Sequence, residues 1–283
     1  MKQPNEQIVL LIEKMPRVSG VTSVLLSKLM DEDFSTNEIV SLIEPDVSLV
    51  ARCLQMVNSP FFGLRRQVTS IRLAINFFGR LNLLSLILYE SFKEVFAVSM
   101  KIYEETPGEF WRHSLKTAVA TRLLSETVAP GINSDMAYTA GLLHDLGKVP
   151  VSEYADLYFP EALNALKGSK PFNHPFIEDF IYGVNHPEVG AALAEHWNFP
   201  EYLIMPALYH HNPLQAPAEY RRLCALIFLA NCLVNGELPR VFANPEYQPV
   251  VEMFRLQELN WQNLASDVEQ EYLKMQQRLD AAR

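Results

Sequence analysis

Cysteine is scarce: the 283 residues contain three, Cys53, Cys224 and Cys232, with no CxxC pair and no metal-type spacing. That pattern argues for buried reduced thiols and against a disulfide framework. Long hydrophobic runs are missing too. The strongest, Leu81 to Tyr89, is interrupted by Asn82 and Ser85 and falls far short of the roughly 20 residues a membrane helix needs. The opening MKQPNEQIVLLIEKMP carries Glu6 and Glu13 and no apolar h-region, so no secretory signal is visible, and the expected compartment is the cytoplasm, with no membrane partner. Excess positive charge is lacking as well. A net charge of -9 argues against broad attachment to nucleic acid, and the one local cluster, Arg65, Arg66 and Arg72, reads as solvated surface or a partner contact. There is no internal repeat, no low-complexity tract, no GxGxxG, no P-loop and no GxSxG, so phosphate cradles and hydrolase elbows have no support.

What is present is helical periodicity. Hydrophobic residues make up 49% of the chain, enough for a large core, and strand-type alternation is scarce. Ile8, Leu11, Ile12 and Met15 form one helical stripe ending at Pro16, and Val21, Val24, Leu25 and Leu29 form a second. Ser35-Thr-Asn-Glu38 is a capping box and predicts a helix to about Ile43. Pro45-Asp46 restarts another through Val57. Asn58 to Gly63 breaks it with an aromatic turn, in which Phe61 and Phe62 are expected to serve packing. Ser70 then caps a helix that ends at Gly79, with Ile71, Ala74, Ile75 and Phe78 inward. Leu81 to Phe96 is apolar nearly all round and predicts a buried helix. Further helices are expected over Glu109–Val128, from Asn133 or Ser134 to Gly147, from an Asn185 cap to Trp197, from Pro200 to His210-His211, and over Ala218–Val234. The segment from Pro249 adds one or two amphipathic helices anchored by Val251, Phe254 and Leu259. The expectation is an all-α chain: an N-terminal helical lobe over 1–100, a helical core over 101–240 and a C-terminal extension over 241–283.

All seven histidines lie between His113 and His211. Imidazole and carboxylate are natural ligands for divalent iron, manganese or zinc, and they occur here at the ends of several helices. His113 follows Glu109 by one turn and shares its face. His144 and Asp145 stand side by side where a helix ends; adjacent residues point about 100° apart, yet at a helix end both can reach one ion. His186 precedes a helix and His210-His211 ends one. Lys148 follows the doublet and could neutralise a phosphate. His174 and His196 fit no pattern.

These residues resemble the HD superfamily of metal-dependent phosphohydrolases, whose helical core carries a His, a His-Asp doublet and a distant Asp. His113 and His144-Asp145 match the first three positions. Glu109, Lys148, His186 and His210-His211 match further positions of the HD-GYP branch, phosphodiesterases that cleave cyclic di-GMP. The resemblance is closer to the HDOD domain, an output domain of bacterial signalling proteins. It rests on "NSPFFG" at 58–63, "VTSIRLAINFFG" at 68–79, "AGLLHDLGK" at 140–148 and "HPEVGAALAEHWNFP" at 186–200.

That resemblance implies an all-helical, HD-like core and a regulatory module that binds a signalling protein or a nucleotide-type ligand. The alternative it implies is a metal-dependent phosphohydrolase acting on a nucleotide or cyclic dinucleotide, with Asp145 and Lys148 as catalytic residues. The implied metal ligands are His113, His144, Asp145, His186, His210, His211 and Glu109. Two departures bear on activity: Asn231 stands where the family has the distant Asp, and no GYP motif follows His210-His211. A two-metal centre needs carboxylates to offset the repulsion of its cations, so one bound metal is the expectation. No receiver, GGDEF-like or DNA-binding segment is visible, so a signal is expected to arrive from another molecule.

Overall fold

The computed structural model describes residues 6–28, 35–64, 66–103, 105–162 and 175–280, and among them it contains sixteen α-helices, short 3-10 turns and no strand. The chain divides into two compact units, one comprising Met1–Arg17 and Glu94–Val268, the other Val18–Lys93 and Glu269–Arg283. The boundary expected near residue 100 thus falls at Lys93/Glu94, and each unit takes in a piece from the opposite end of the chain. No single helix among the described residues is long and apolar enough to cross a membrane.

The smaller unit holds α2 (Gly20–Lys28), α3 (Thr36–Ile43), α4 (Val47–Val57), α5 (Ile71–Phe78) and most of α6 (Arg80–Phe96). Local chemistry sets its boundaries. Ser35 accepts from the Glu38 amide while Glu38 accepts from the Ser35 amide, the reciprocal capping box. Asp46 caps α4 through the Leu49 amide and Ser70 caps α5 through the Leu73 amide. The turn after α4 winds Pro60–Phe62 into a 3-10 turn closed by Gly63 at φ +55°, a left-handed conformation that favours glycine. Asn58 clasps that loop: its amide accepts from Val68 N at 2.7 Å and donates to Val68 O at 2.8 Å. Phe62 is half-buried there, whereas the Phe61 and Phe78 side chains, Arg65 and Leu29 lie outside what the structure describes. Arg66 is exposed and Arg72 hydrogen-bonds Asn37.

The larger unit begins with α1 (Glu6–Lys14) and continues through α7 (Glu109–Val128), α8 (Ser134–Leu143), α9 (Lys148–Tyr158), α10 (Pro175–Tyr182), α11 (His186–His196), α12 (Glu201–Tyr209) and α13 (Ala218–Val234). The α7–α8 pair forms its centre, with α13 laid on both and α12 packed on α8, α11 and α13. Three small contributions let these backbones approach. Ala118, Thr121 and Gly141 line the α7–α8 contact, and a Cβ on Gly141 would sit 2.6 Å from Thr121 Oγ1. The C-terminal segment adds α14 (Leu238–Ala243), α15 (Gln248–Met253) and the start of α16 (Trp261–Asp280), whose part from Glu269 onward belongs to the smaller unit. Val251 and Phe254 are buried as expected, but the third anchor is Leu256 at 0% exposure, not Leu259, which is half-buried. The sequence period slips there because Leu256–Glu258 is a 3-10 turn, which repeats every three residues.

Candidate metal centre

The His-Asp doublet does not lie in a helix but in the tight turn between two. α8 ends at Leu143, His144 is its C-cap, and Lys148 N–H bonds Asp145 O at 2.9 Å to start α9. The turn aims both side chains inward, and each residue is only 1% exposed. His113 comes from α7, His186 from the first position of α11, and His210-His211 from the end of α12.

Asp145 is the hub. Its Oδ2 lies 3.5 Å from His113 Nε2, 3.3 Å from His144 Nε2 and 2.6 Å from Lys148 Nζ. Its Oδ1 lies 3.4 Å from His186 Nε2 and 3.2 Å from His210 Nε2. His186 Nε2 is also 3.3 Å from His210 Nε2 and 3.1 Å from His211 Nε2. Two ligand groups result, sharing the aspartate: His113, His144 and Asp145 on one side, and Asp145, His186, His210 and His211 on the other, each with donor atoms within 4.8 Å of one another.

The surroundings fix which nitrogen faces inward. His144 Nδ1 donates to Gly141 O at 2.8 Å and His210 Nδ1 donates to Ala207 O at 2.9 Å, since a carbonyl only accepts. His186 Nδ1 donates to the Glu178 carboxylate at 2.8 Å. With the Nδ1 protons held outside, the Nε2 atoms face one another and Asp145. Burial keeps three of the imidazoles uncharged: it pushes His144 down to about 4, lowers His210, and with the neighbouring His210 and His186 lowers His211 well below its usual value. Lone pairs converging in a dry pocket repel unless a cation lies between them. His113 Nε2, His144 Nε2 and both Asp145 oxygens are buried yet take part in no directed hydrogen bond, so the Lys148 contact is an ion pair rather than an aligned bond. Unsatisfied buried acceptors of this kind fit a divalent metal.

Asp145 is held well below the usual carboxylate range, because the favourable effects of His144 and Lys148 outweigh the burial that would raise it. Lys148 is raised in turn: burial would lower it, but Asp145 and Glu105 more than compensate. Its ammonium also sits 5.2 Å from the centre of the Tyr103 ring.

Of the residues singled out in the sequence, His113, His144, Asp145, Lys148, His186, His210 and His211 come together. Glu109 does not join them. As the first residue of α7 its half-exposed carboxylate folds back to accept from Thr106 N and Oγ1 at 2.5 and 2.6 Å and pairs with Arg112 at 3.1 Å. Those Thr106 bonds also lower its pKa. The carboxylate nearer the site is Glu105, 4.0 Å from Lys148 Nζ and raised by burial. Lys148, expected to meet a phosphate, is 3% exposed and turned onto Asp145. Asn231 accepts from Asn235 Nδ2 at 3.0 Å. His196 is exposed, and His174 lies outside the described residues.

Sequence reasoning missed Glu178, Tyr103 and Glu105. Glu178 is fully buried and accepts from His186 Nδ1, His186 N at 2.7 Å and Tyr103 OH at 2.9 Å. Opposing its own burial, His186 draws its pKa down. A cavity of about 270 Å³, lined by Glu105, His113, Arg112, Lys116 and Asn235 among others, borders the site at His113, which keeps 14% of its side chain exposed.

Several solved structures share the fold. An HDOD domain protein of unknown function from Geobacter sulfurreducens superposes with a TM-score of 0.72 at 22% identity, covering 98% of both chains. A protein from Marinobacter aquaeolei VT8 named for signal transduction gives 0.70 at 18% identity, over 98% of this chain and 63% of its own. One from Shewanella amazonensis SB2B named as a candidate phosphohydrolase gives 0.64 at 18%, over 97% and 98%. A relative from Treponema pallidum (strain Nichols), described only as an uncharacterized protein, is 28% identical over 233 residues; these are 81% of this chain and 44% of the relative, so the chain spans less than half of that protein. Residues 15–213 match the HDOD domain, through the doublet and on to His210-His211, and the chain belongs to the HDOD family.

Proposed function

We propose that this chain is a regulatory signalling module that holds a divalent cation, iron, manganese or zinc, in its HD-type site and uses the occupied site to keep its shape or to sense a ligand. The observation that carries this reading is the convergence of imidazole Nε2 atoms on Asp145, with the Nδ1 protons of His144, His186 and His210 held outside by Gly141, Glu178 and Ala207. A second shell of this kind orients ligands and raises their basicity. A cation bound there supplies positive charge for an anionic group of a ligand. The chain's own residues do the rest: Asp145 gathers the imidazoles, Glu178 fixes the His186 ring, and the buried walls exclude water. The His113 side opens to the cavity, where Lys116 stands beside the Arg112–Glu109 ion pair and Glu105 and offers a positive charge to a nucleotide-type ligand.

Two features favour this role over hydrolysis. Asn231 brings no charge and its carbonyl oxygen is already bonded to Asn235, and Lys148 is spent on Asp145 instead of facing the cavity. Elemental analysis of the purified protein should find stoichiometric metal, and the loaded protein should not turn over cyclic dinucleotides. Metal-free protein that refuses iron, manganese and zinc would sink the reading. Turnover by the wild type would replace it with the phosphohydrolase alternative, while turnover only in Asn231→Asp would mark the chain as a disabled relative of such enzymes.

A further inference from the structure

The centre is built with two sides, yet its charge and its occupants differ between them. On the Oδ1 side of Asp145 stand three imidazoles, His186, His210 and His211, a complete set of four donors with the carboxylate. On the Oδ2 side stand two, His113 and His144, and the ammonium of Lys148 lies closer to that oxygen than either ring, at 2.6 Å against 3.5 and 3.3 Å. We infer that the site takes a single divalent cation, on the Oδ1 side, and that the Lys148 ammonium is a built-in second cation that keeps a second metal off Oδ2. This rests on the reading that the site binds metal at all.

Three independent observations support it. Lys148 is the first residue of α9, where the helix dipole disfavours a positive charge, and it is 3% exposed. A lysine is retained at such a place only by its partners, and those are Asp145, Glu105 at 4.0 Å and the face of Tyr103. Next, the formal charges balance for one cation. Asp145, Glu105 and Glu178 contribute three negative charges and Lys148 one positive, leaving minus two; one dication brings the sum to zero, and two would leave plus two inside a buried pocket, which is costly. Finally, the donor that would help hold a second metal is lacking. Asn231 is neutral and bonded to Asn235, and Glu109 is bound to Thr106 and Arg112. Metal pairs about 3.5 to 4 Å apart depend on bridging and flanking carboxylates that offset their repulsion.

The two sides can be separated by metal content and by spectrum, with no activity needed. The wild-type chain loaded with Mn(II) should hold about one equivalent and give the electron paramagnetic resonance of an isolated ion. His186→Ala should lose the metal, whereas His113→Ala should keep it. Lys148→Met combined with Asn231→Asp, or Lys148→Gln with Asn231→Asp should the first fail to fold, should approach two equivalents and show spin coupling between neighbouring ions, whereas Asn231→Asp with Lys148 in place should stay at one. Two equivalents or a coupled spectrum in the wild type overturn the inference. So does equal loss of metal from His113→Ala and His186→Ala, a Lys148→Met/Asn231→Asp variant that still stops at one, or Asn231→Asp alone that takes two. No metal in any form overturns the metal-binding reading itself, and this inference with it.

Discussion

Glu178 shows how one residue outside the ligand set can govern it. Its two oxygens accept three donors, the Tyr103 hydroxyl, the His186 amide and His186 Nδ1, while 0% of the residue reaches solvent. Glu178→Gln keeps the size but has one oxygen, and its amide nitrogen would face donors that need an acceptor. The His186 ring then loses both its orientation and the negative charge that makes Nε2 a stronger base. Metal affinity should fall 10- to 100-fold, about 1.4 to 2.7 kcal/mol, in calorimetric titration with zinc or manganese. Tyr103→Phe removes one donor and leaves the carboxylate, so its loss should be clearly smaller; equal losses would assign the effect to Tyr103 packing instead. None of this was legible in the sequence. Histidines and the doublet announce themselves by type and spacing, but Glu178 lies eight residues before His186 in a segment without a motif, and only the fold of α10 against α11 brings it under the ring. Glu109 misled for the complementary reason: helical spacing put it on the His113 face, yet the first turn of a helix leaves amides unpaired, and its carboxylate turned back to the Thr106 amide instead.

At the scale of elements, the geometry depends on how closely α9 and α11 approach. A Cβ on Gly147 would overlap the His186 carbonyl and the Gly190 amide, and would lie 2.7 Å from Gly190 Cα. Gly147 has ordinary helical dihedrals, so its need is for space rather than for backbone freedom. Gly147→Ala should therefore push α11 from the doublet turn, since backbone cannot rotate away as a side chain can. Overpacking typically costs 1 to 3 kcal/mol, and a backbone collision belongs at about 3 kcal/mol, read as a lowered denaturation midpoint with weaker metal binding. An alanine variant of full stability would show that the helices part without cost. Helix boundaries were well marked in the sequence where a side chain caps them, at Ser35, Asp46, Ser70, Asn133 and Asn185, because a cap is local chemistry. α9 was not anticipated. Gly147 reads as a stop and Pro150 as a breaker, yet a proline in the first turn needs no partner for its missing N–H.

For the whole molecule, the histidines divide the two units. All seven fall between His113 and His211, inside the unit comprising Met1–Arg17 and Glu94–Val268, and the other unit has none. His144 is at about 4 in the folded state against 6.5 when free, and His210 and His211 are lowered too. Between those limits the unfolded chain binds protons that the folded one refuses, so stability is fully present above pH 6.5 and is lost as pH falls toward 4. For His144 alone that is about 3 kcal/mol. Asp145, also lowered, adds a further loss below its free value of 3.8, while Glu105, raised by burial, acts in the opposite sense above 4.5. Trp111, Trp197 and Trp261 all belong to the same unit, so their fluorescence reports on it alone. Chelator-treated protein should thus lose its tryptophan-monitored stability steadily from pH 6.5 to 5, with far-UV circular dichroism retaining a helical component from the histidine-free unit. Added zinc or manganese should hold the fluorescence transition up at neutral pH and lose that effect on acidification, because protons and the cation compete for the same Nε2 atoms. A fluorescence midpoint that stays flat to pH 5 in the metal-free protein would mean that the imidazoles accept protons in place, and that the convergence on Asp145 needs no cation.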